Sequence, residues 1–295
     1  MDGRPEPDVT SSGGTLPGNL AHGSPPAPPG TSRDAAVIAH RGASGHAPEH
    51  TWPAYELAME MGADFLEPDL QMTRDGHLIA FHDPTLDRTA RGRTGLRTGP
   101  VNERTLEELR ECDVGSWFNE AHPDRARPEF EGLGVVTLDE LFARWGSAVR
   151  WYPEVKNPEA NRGMEEGLLE LIRRRGLQAA AVEEEWILIQ SFSPASLLKI
   201  REMDPELPLI QLLGASALEG RRVEDLLKEI GDYARGVGPH RQLVDRRFMA
   251  AARQAGLLVH PWTVNDGEEM EGLLALGVHG IFTDFPDRLV ELMGR

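Results

Sequence analysis

From residue 35 onward, eight short apolar runs alternate with amphipathic stretches, and this order constrains the fold more than any other feature of the chain. The apolar runs predict strands at 36–40, 65–70, 149–155, 186–192, 207–212, 234–238, 257–264 and 280–284. The amphipathic stretches predict helices at 54–61, 164–175, 194–202, 223–230, 245–255 and 268–276. Strands that alternate with helices in this way predict an α/β fold, and eight of them predict a (β/α)8 TIM barrel.

The alternation breaks between about residues 84 and 136. Just before the break, residues 78–82 form an apolar run after the turn Arg74-Asp75-Gly76, which predicts a hairpin extension of strand two. A stretch rich in Arg, Gly and Thr follows, with a short helix predicted at 105–112 and a loop around Trp117. Because the loops after barrel strands carry the functional groups, we expect this insertion after strand two to lie beside the functional site.

The N-terminal segment differs in composition from the rest of the chain. Residues 1–34 are rich in Pro, Gly and Ser and contain no apolar h-region, which argues against a secretory signal. Such a segment buries too little to offset its ordering entropy. The sequence therefore predicts a disordered tail at 1–34 and a barrel domain at 35–295.

Charge and composition narrow the class of function. A net charge of −17 argues against a nucleic-acid surface. No apolar run reaches the roughly 18 residues of a membrane span, so no stable membrane insertion is expected. The single cysteine, Cys112, excludes an intramolecular disulfide and fits a reducing compartment, so a cytoplasmic location is predicted. The sequence leaves the oligomeric state open.

Polar residues recur at the carboxyl ends of the predicted strands. Alternate residues of a strand share one face, so Glu67 and Asp69 point together, as do Glu154 and Lys156. Because the strand ends of a barrel meet at one rim, these side chains are expected to lie close together. The same rim is predicted to hold His40, Ser191, Gln211, Trp262 and Asp284.

The carboxylates of Glu67, Asp69 and Glu154 form a candidate metal site. Carboxylates that converge from several strands repel one another unless a cation binds them. An all-oxygen ligand set favours a hard divalent cation such as Mg²⁺ or Ca²⁺. The competing interpretation is that the three are solvated carboxylates at loop starts.

His40 and His82 flank this carboxylate pair in sequence and are the candidate catalytic residues. Histidine titrates near neutral pH, so one ring can accept a proton while the other donates one. Hydrolysis of a phosphodiester needs both steps, and the sequence does not assign which histidine performs which. The competing interpretation is a pair of hydrogen-bonded structural histidines.

Two cations and two aromatic residues are candidates for substrate binding. Arg41 suits phosphate oxygens, although a salt bridge to Glu49 would also explain it. Lys156 follows the candidate ligand Glu154 by two residues in a chain that has only three lysines, which favours a phosphate contact. Phe192 and Trp262 could form an apolar wall for the substrate or could pack in the core.

Several motifs together resemble the glycerophosphodiester phosphodiesterase family. They are AHRGASGHAPEHT, FLEPDLQMTRDGHLIAFHD, YPEVKN, IQSFSP, PWTVND and GIFTDFPD, and they run in the family's order from about residue 36 to residue 290. The resemblance implies a TIM barrel with a segment inserted after strand two. It also implies that His40 and His82 are the acid–base pair, and that Arg41 and Lys156 contact phosphate. It implies a Mg²⁺ or Ca²⁺ ion held by Glu67, Asp69 and Glu154.

The resemblance implies metal-dependent hydrolysis of small glycerophosphodiesters, such as glycerophosphocholine or glycerophosphoethanolamine, to glycerol 3-phosphate and an alcohol. That reaction belongs to lipid and glycerol metabolism. Two alternatives remain: a lysophospholipase D-like activity on lysophospholipids, and a non-catalytic barrel that binds phosphodiesters. The first would need an exposed apolar entrance, which the charge of the chain does not favour.

The chain departs from the family pattern at His50, since Pro48-Glu49-His50-Thr51 stands where the family usually has Pro-Glu-Asn-Thr. An imidazole differs from an amide in shape and can become charged. We expect this change to tune the activity rather than abolish it. A wild-type activity several hundredfold below that of His50→Asn would contradict this expectation.

Overall fold

A computed structural model describes residues 34–92 and 97–295. The tail predicted to be disordered lies outside the described residues except for Asp34, so that prediction and the domain boundaries remain predictions. The strands are β1 (Ala36–His40), β2 (Phe65–Glu67), β3 (Asp69–Met72), β4 (Leu78–Ala80), β5 (Arg150–Trp151), β6 (Glu154–Val155), β7 (Ile189–Ser191), β8 (Leu209–Leu213), β9 (Gly236–Pro239), β10 (Leu258–Val259) and β11 (Gly280–Thr283).

The described helices include every helix that the sequence predicts. They are α1 (Trp52–Glu60), α2 (Leu106–Leu109), α3 (Ser116–Ala121), α4 (Leu138–Trp145), α5 (Met164–Arg174), α6 (Gln178–Glu183), α7 (Pro194–Met203), α8 (Val223–Gly231), α9 (Arg246–Gln254), α10 (Gly267–Leu276) and α11 (Pro286–Met293). Short 3-10 turns lie at Val101–Glu103, Pro128–Phe130, Gly146–Ala148 and Arg241–Leu243. The prediction of a loop around Trp117 is wrong, because that residue lies in α3, and the sequence did not predict α4, α6 or α11.

The strands form the predicted barrel. Two of its eight strands are split, into β2 and β3 and into β5 and β6. Pro68 lies at the first break and Pro153 at the second, and proline has no N–H to donate to the ladder. Parallel pairing runs from β11 through β1 and around to β10. The N–H of His279 donates to the carbonyl of Val259 at 2.9 Å and closes the ring.

Capping residues in the sequence determine where the outer helices begin and end. Thr137 and Glu140 form a capping box at the start of α4, and Asp266 caps α10 by accepting from the N–H of Glu269. At the other end of α10, Gly277 has a φ of 82°, a left-handed conformation that glycine adopts at little cost. The side chains of Thr137 and Asp266 satisfy N–H groups that would otherwise lack partners, and they fix where α4 and α10 begin.

The insertion follows the predicted hairpin, in which β3 pairs antiparallel with β4. Its residues Leu86, Val101 and Leu109 form a small apolar core together with Ile79 and Phe81 at the end of that hairpin. A second cluster joins Phe118 and Phe130 to Ala47 and Ala54 of the region that follows β1. The insertion therefore packs against the loop that carries Arg41, at the rim of the barrel.

Apolar side chains fill the interior of the barrel. The interior cluster comprises Ile38, Phe65, Tyr152, Leu188, Ile210 and Phe282, and larger apolar clusters lie between the barrel and its helices. Because the interior is packed, polar groups collect at the carboxyl-terminal rim. In the described part of the chain, every helix is too short or too polar to cross a bilayer.

Candidate active site

The register of the strands brings the candidate residues together. His40 of β1 lies opposite Glu67 of β2, and Asp69 of β3 lies opposite Glu154 of β6. The break at Pro68 keeps both Glu67 and Asp69 on the rim. The predicted convergence of these side chains is therefore present in the structure.

The three carboxylates form a tight, buried group. Glu67, Asp69 and Glu154 each offer one oxygen, and these oxygens lie within 4.8 Å of one another. Burial and the neighbouring charge of Asp69 raise the pKa of Glu154 to about 8 and that of Glu67 well above its usual range. Burial alone would raise the pKa of Asp69 too, but the charges of Lys156 and Arg41 hold it well below its usual range.

This group fits a hard divalent cation. All of its donor atoms are carboxylate oxygens, which such cations prefer. The Oδ1 atom of Asp69 is buried and has no hydrogen-bond partner among the described residues. A buried oxygen without a partner is costly, and a cation would remove that cost. The residues present could therefore hold a metal ion.

Each candidate catalytic histidine is paired with a carboxylate through Nδ1. His40 Nδ1 lies 2.7 Å from Asp284 Oδ1, and His82 Nδ1 lies 2.5 Å from Asp83 Oδ1. A carboxylate accepts hydrogen bonds, so Nδ1 carries the proton in each ring and Nε2 is the nitrogen able to exchange a proton with a substrate. Burial lowers the pKa of His82 to about 4, so its ring is neutral at neutral pH.

Both partner carboxylates are themselves fixed. Asp284 accepts hydrogen bonds from Ser44 Oγ at 2.9 Å and from Asn265 Nδ2 at 2.6 Å. Arg88 Nε donates to Asp83 Oδ2 at 2.6 Å. These contacts orient both imidazole rings, as carboxylate partners do in other acid–base sites.

The two candidate phosphate-binding cations lie beside the carboxylates. Arg41 Nε lies 3.0 Å from Asp69 Oδ2, and Arg41 Nη1 lies 3.2 Å from Glu49 Oε1. Lys156 Nζ lies 3.0 Å from Glu154 Oε1 and 3.5 Å from Asp69 Oδ1. Arg41 therefore makes the salt bridge to Glu49 that the sequence offered as an alternative, and both cations also line the cavity of the site.

The cavity has a volume of about 100 Å³ and an apolar wall. Phe192 and Trp262 meet edge to face with ring centroids 5.5 Å apart, and Leu212 and Phe282 continue the wall. Trp262 is fixed by a hydrogen bond from Nε1 to the carbonyl of Gly238 at 2.7 Å. Phe192 is 45% exposed, so it is available to a ligand and is not a core residue.

Several residues of the site escaped the sequence interpretation. Asp83 follows His82 directly and Asp284 was placed on the rim, yet neither was given a role. Arg88 lies in the insertion, where it binds Glu49 through both terminal nitrogens at 2.7 and 2.9 Å. Gln190 Nε2 donates to Glu67 Oε1 at 3.1 Å. Asp83 and Asp284 could have been identified as carboxylates at strand ends. Nothing in the sequence predicts the contact of Arg88 with Glu49.

Comparisons with known proteins agree with this fold. The model of the glycerophosphoryl diester phosphodiesterase family matches residues 40–288. A glycerophosphodiester phosphodiesterase of Bacillus subtilis (strain 168) is 44% identical over 251 residues, which cover 85% of this chain and 84% of the relative. Another from Caldanaerobacter subterraneus subsp. tengcongensis is 34% identical over 268 residues, which cover 87% of this chain and 97% of the relative.

Solved structures give the same result. A glycerophosphodiester phosphodiesterase from Agrobacterium tumefaciens str. C58 has a TM-score of 0.70 and 26% identity, with 87% of this chain and 99% of that chain covered. A phosphodiesterase from Oleispira antarctica, in complex with the product sn-glycerol-3-phosphate, has a TM-score of 0.68 and 25% identity, with 88% and 97% covered. Fold and site together define a (β/α)8-barrel phosphodiesterase. The chain belongs to the glycerophosphoryl diester phosphodiesterase family.

Proposed function

We propose that this protein hydrolyses small glycerophosphodiesters, such as glycerophosphocholine or glycerophosphoethanolamine, to glycerol 3-phosphate and an alcohol. The observation that carries the proposal is that two carboxylate-paired histidines line one small cavity with Glu67 and Glu154, and that a buried Asp69 oxygen lies within 4.8 Å of theirs. The bound product in the Oleispira antarctica phosphodiesterase supports the same chemistry.

Glu67, Asp69 and Glu154 are the proposed ligands of Mg²⁺ or Ca²⁺. When bound, the cation supplies positive charge that neutralises and orients the phosphodiester. Arg41 and Lys156 add two positive side chains at the same cavity, and so the site of an acidic protein becomes able to bind an anion. The positive charges at this rim thus attract the anionic substrate, although the net negative charge of the whole chain repels it.

The two histidines move the protons. One Nε2 accepts the proton of the attacking hydroxyl, which belongs either to water or to the glycerol arm of the substrate. In the second case the alcohol leaves from a cyclic phosphate, which water then opens to glycerol 3-phosphate. The other donates a proton to the oxygen of the leaving alcohol, so that no alkoxide is released. His82 is neutral at neutral pH because burial lowers its pKa to about 4, so its Nε2 is free to accept the first proton.

Phe192 and Trp262 are proposed to contact the carbon skeleton of the substrate. The cavity combines charged residues with a short apolar wall, which suits a small polar diester better than an acyl chain. The other exposed large apolar residues in the described part, Leu198 and Leu292, lie on outer helices and extend no apolar surface from the cavity. These features favour a small-molecule substrate over a lysophospholipid, and the single cysteine supports the predicted cytoplasmic location.

A substrate panel tests the proposal. Purified protein is incubated with glycerophosphocholine, glycerophosphoethanolamine and lysophosphatidylcholine, each with Mg²⁺, Ca²⁺, Mn²⁺ or a chelator. We expect release of glycerol 3-phosphate from the first two, loss of that activity with chelator, and little release of choline from the lysophospholipid. Glu154→Gln should lose the activity, whereas Glu219→Gln, a change at an exposed residue that does not line the cavity, should keep it. Binding of the diesters without turnover would support the non-catalytic alternative.

A further inference from the structure

The two oxygens of the Asp69 carboxylate have different surroundings. Oδ2 lies 3.0 Å from Arg41 Nε and 3.0 Å from His50 Nε2. Oδ1 is buried without a hydrogen-bond partner among the described residues, and Lys156 Nζ lies 3.5 Å from it. Oδ2 is therefore held by a hydrogen bond from His50 and by the charge of Arg41, whereas Oδ1 has only the more distant charge of Lys156 beside it.

His50 bridges this carboxylate to Tyr55. Its Nδ1 lies 2.8 Å from the Tyr55 hydroxyl oxygen, and its ring is only 3% exposed. The Asp69 carboxylate has no proton to give, so Nε2 must be the donor in that contact. The hydroxyl of Tyr55 can then donate to Nδ1, which fixes the tautomer with the proton on Nε2.

The backbone also holds His50 in place. His50 has a φ of 59° and Arg41 a φ of 62°, both in the left-handed region that residues with a side chain seldom adopt. The N–H of His50 donates to the carbonyl of Arg41 at 3.1 Å, so the two left-handed residues are bonded to each other. Both side chains then reach the same oxygen of Asp69.

We propose that Tyr55 and His50 are positioning residues that hold Asp69 Oδ2 and thereby present Oδ1 to the divalent cation. This inference rests on the proposed metal-dependent function and goes beyond it. It assigns the buried His50, which the mechanism of hydrolysis does not use, to the geometry of the metal site. Partners that fix a ligating side chain typically change metal affinity about 10- to 100-fold when they are lost.

Two substitutions at the same position separate this role from a merely structural one. In His50→Gln, the amide nitrogen lies as many bonds from Cα as Nε2 does, so it can still donate to Asp69. In His50→Asn, the amide nitrogen corresponds to Nδ1 and lies towards Tyr55, so the donor to Asp69 is lost. Both variants remove the imidazole, and Asn adopts the left-handed conformation of residue 50 more readily than Gln, so backbone strain disfavours His50→Gln rather than His50→Asn.

Calorimetric titration of the metal-free proteins with Mg²⁺ and with Ca²⁺ provides the readout. We expect His50→Asn to bind about 10- to 100-fold more weakly than wild type and His50→Gln to stay within about threefold. His260→Gln is the matched control, since His260 is equally buried, contacts the Tyr152 hydroxyl at 2.8 Å and has no hydrogen bond to a candidate ligand. It should bind the cation as wild type does.

The tautomer of His50 gives a second test, whose first measurement uses the wild type alone. Nitrogen-15 NMR of the metal-free wild type should show the proton of His50 on Nε2, and Tyr55→Phe should weaken that preference. A proton on Nδ1, or equal metal affinities for His50→Asn and His50→Gln, would overturn the positioning role. If wild type binds neither cation, the proposed function fails as well, so the two failures are distinguishable.

Discussion

The His40 imidazole and the Asp284 carboxylate lie 2.7 Å apart, although 244 residues separate them in the chain. His40 ends β1 and Asp284 follows β11, and these two strands pair in parallel where the barrel closes. Ser44 and Asn265 hold the same carboxylate from either side. Closure of the barrel thus brings a candidate catalytic histidine to the residue that orients it.

The first prediction concerns this pair. Asp284→Asn should lower kcat by about 10²-fold, because an amide neither fixes the His40 tautomer nor stabilises a protonated ring. Asp287→Asn is the matched control, since Asp287 lies 2.9 Å from His46 Nε2 in a second, more exposed His–Asp pair. Steady-state kinetics on a glycerophosphodiester measure both variants. Equal losses in the two would remove the orienting role from Asp284.

The second prediction concerns His82. His82→Ala should lower turnover by roughly 10²-fold or more, and a near-normal rate would remove this residue from the mechanism. Because burial lowers its pKa to about 4, the neutral ring should persist well below the ordinary value of 6.5. At saturating metal, kcat/KM should therefore fall on the acid side near pH 4 to 5. A decrease in kcat/KM centred at pH 6.5 would contradict a neutral, proton-accepting His82.

The third prediction couples metal binding to proton release. In the metal-free protein, burial and the charge of Asp69 raise the pKa of Glu154 to about 8, so this carboxyl is largely protonated at pH 7. A ligating carboxylate must be ionised, so binding at pH 7 should release about one proton, or more because Glu67 is also raised. Calorimetry in buffers of different ionisation enthalpy counts these protons. An observed enthalpy independent of the buffer would refute this coupling.

The fourth prediction concerns stability in acid. Burial alone would raise the pKa of Glu49, but hydrogen bonds from Arg88 and the charge of Arg41 lower it from 4.5 to about 2. A lowered folded-state pKa stabilises the fold above the unfolded value, and that contribution is lost as pH falls from about 4.5 towards 2. The full effect is on the order of 3 kcal/mol.

Glu49→Gln tests this contribution. The difference in free energy of unfolding between wild type and variant should be largest above pH 5 and should narrow steadily towards pH 3. Urea titrations at each pH measure it. A difference that stays constant over this range would show that the ionisation of Glu49 does not stabilise the fold.

Sequence reasoning predicted much of the fold because the relevant signals are local. Each barrel strand is a buried apolar run, and each predicted helix carries an amphipathic pattern, so the alternation is visible without long-range information. The breaks at Pro68 and Pro153 could have been predicted from the missing N–H of proline. The α4 helix was missed although Thr137 and Glu140 have capping-box spacing, because the insertion before it obscured the pattern.

The site was predicted in part for a similar reason. Glu67, Asp69 and Glu154 stand at strand ends, and strand ends meet at one rim in any barrel. By contrast, the pairing of His40 with Asp284 depends on closure of the whole ring, and the contact of Arg88 with Glu49 depends on how the insertion packs. Contacts of this kind depend on the tertiary structure. A single sequence therefore identifies the candidate residues but does not show which of them contact one another.

The central claim is that a divalent cation at the three carboxylates enables hydrolysis of a glycerophosphodiester. Phosphorus-31 NMR of metal-free protein with glycerophosphoethanolamine tests it most directly. The account predicts that the diester resonance stays unchanged until Mg²⁺ or Ca²⁺ is added, and that it is then replaced by the resonance of glycerol 3-phosphate, with Asp69→Asn inactive throughout. Conversion at the same rate in the metal-free protein, or none after either cation is added, would contradict it.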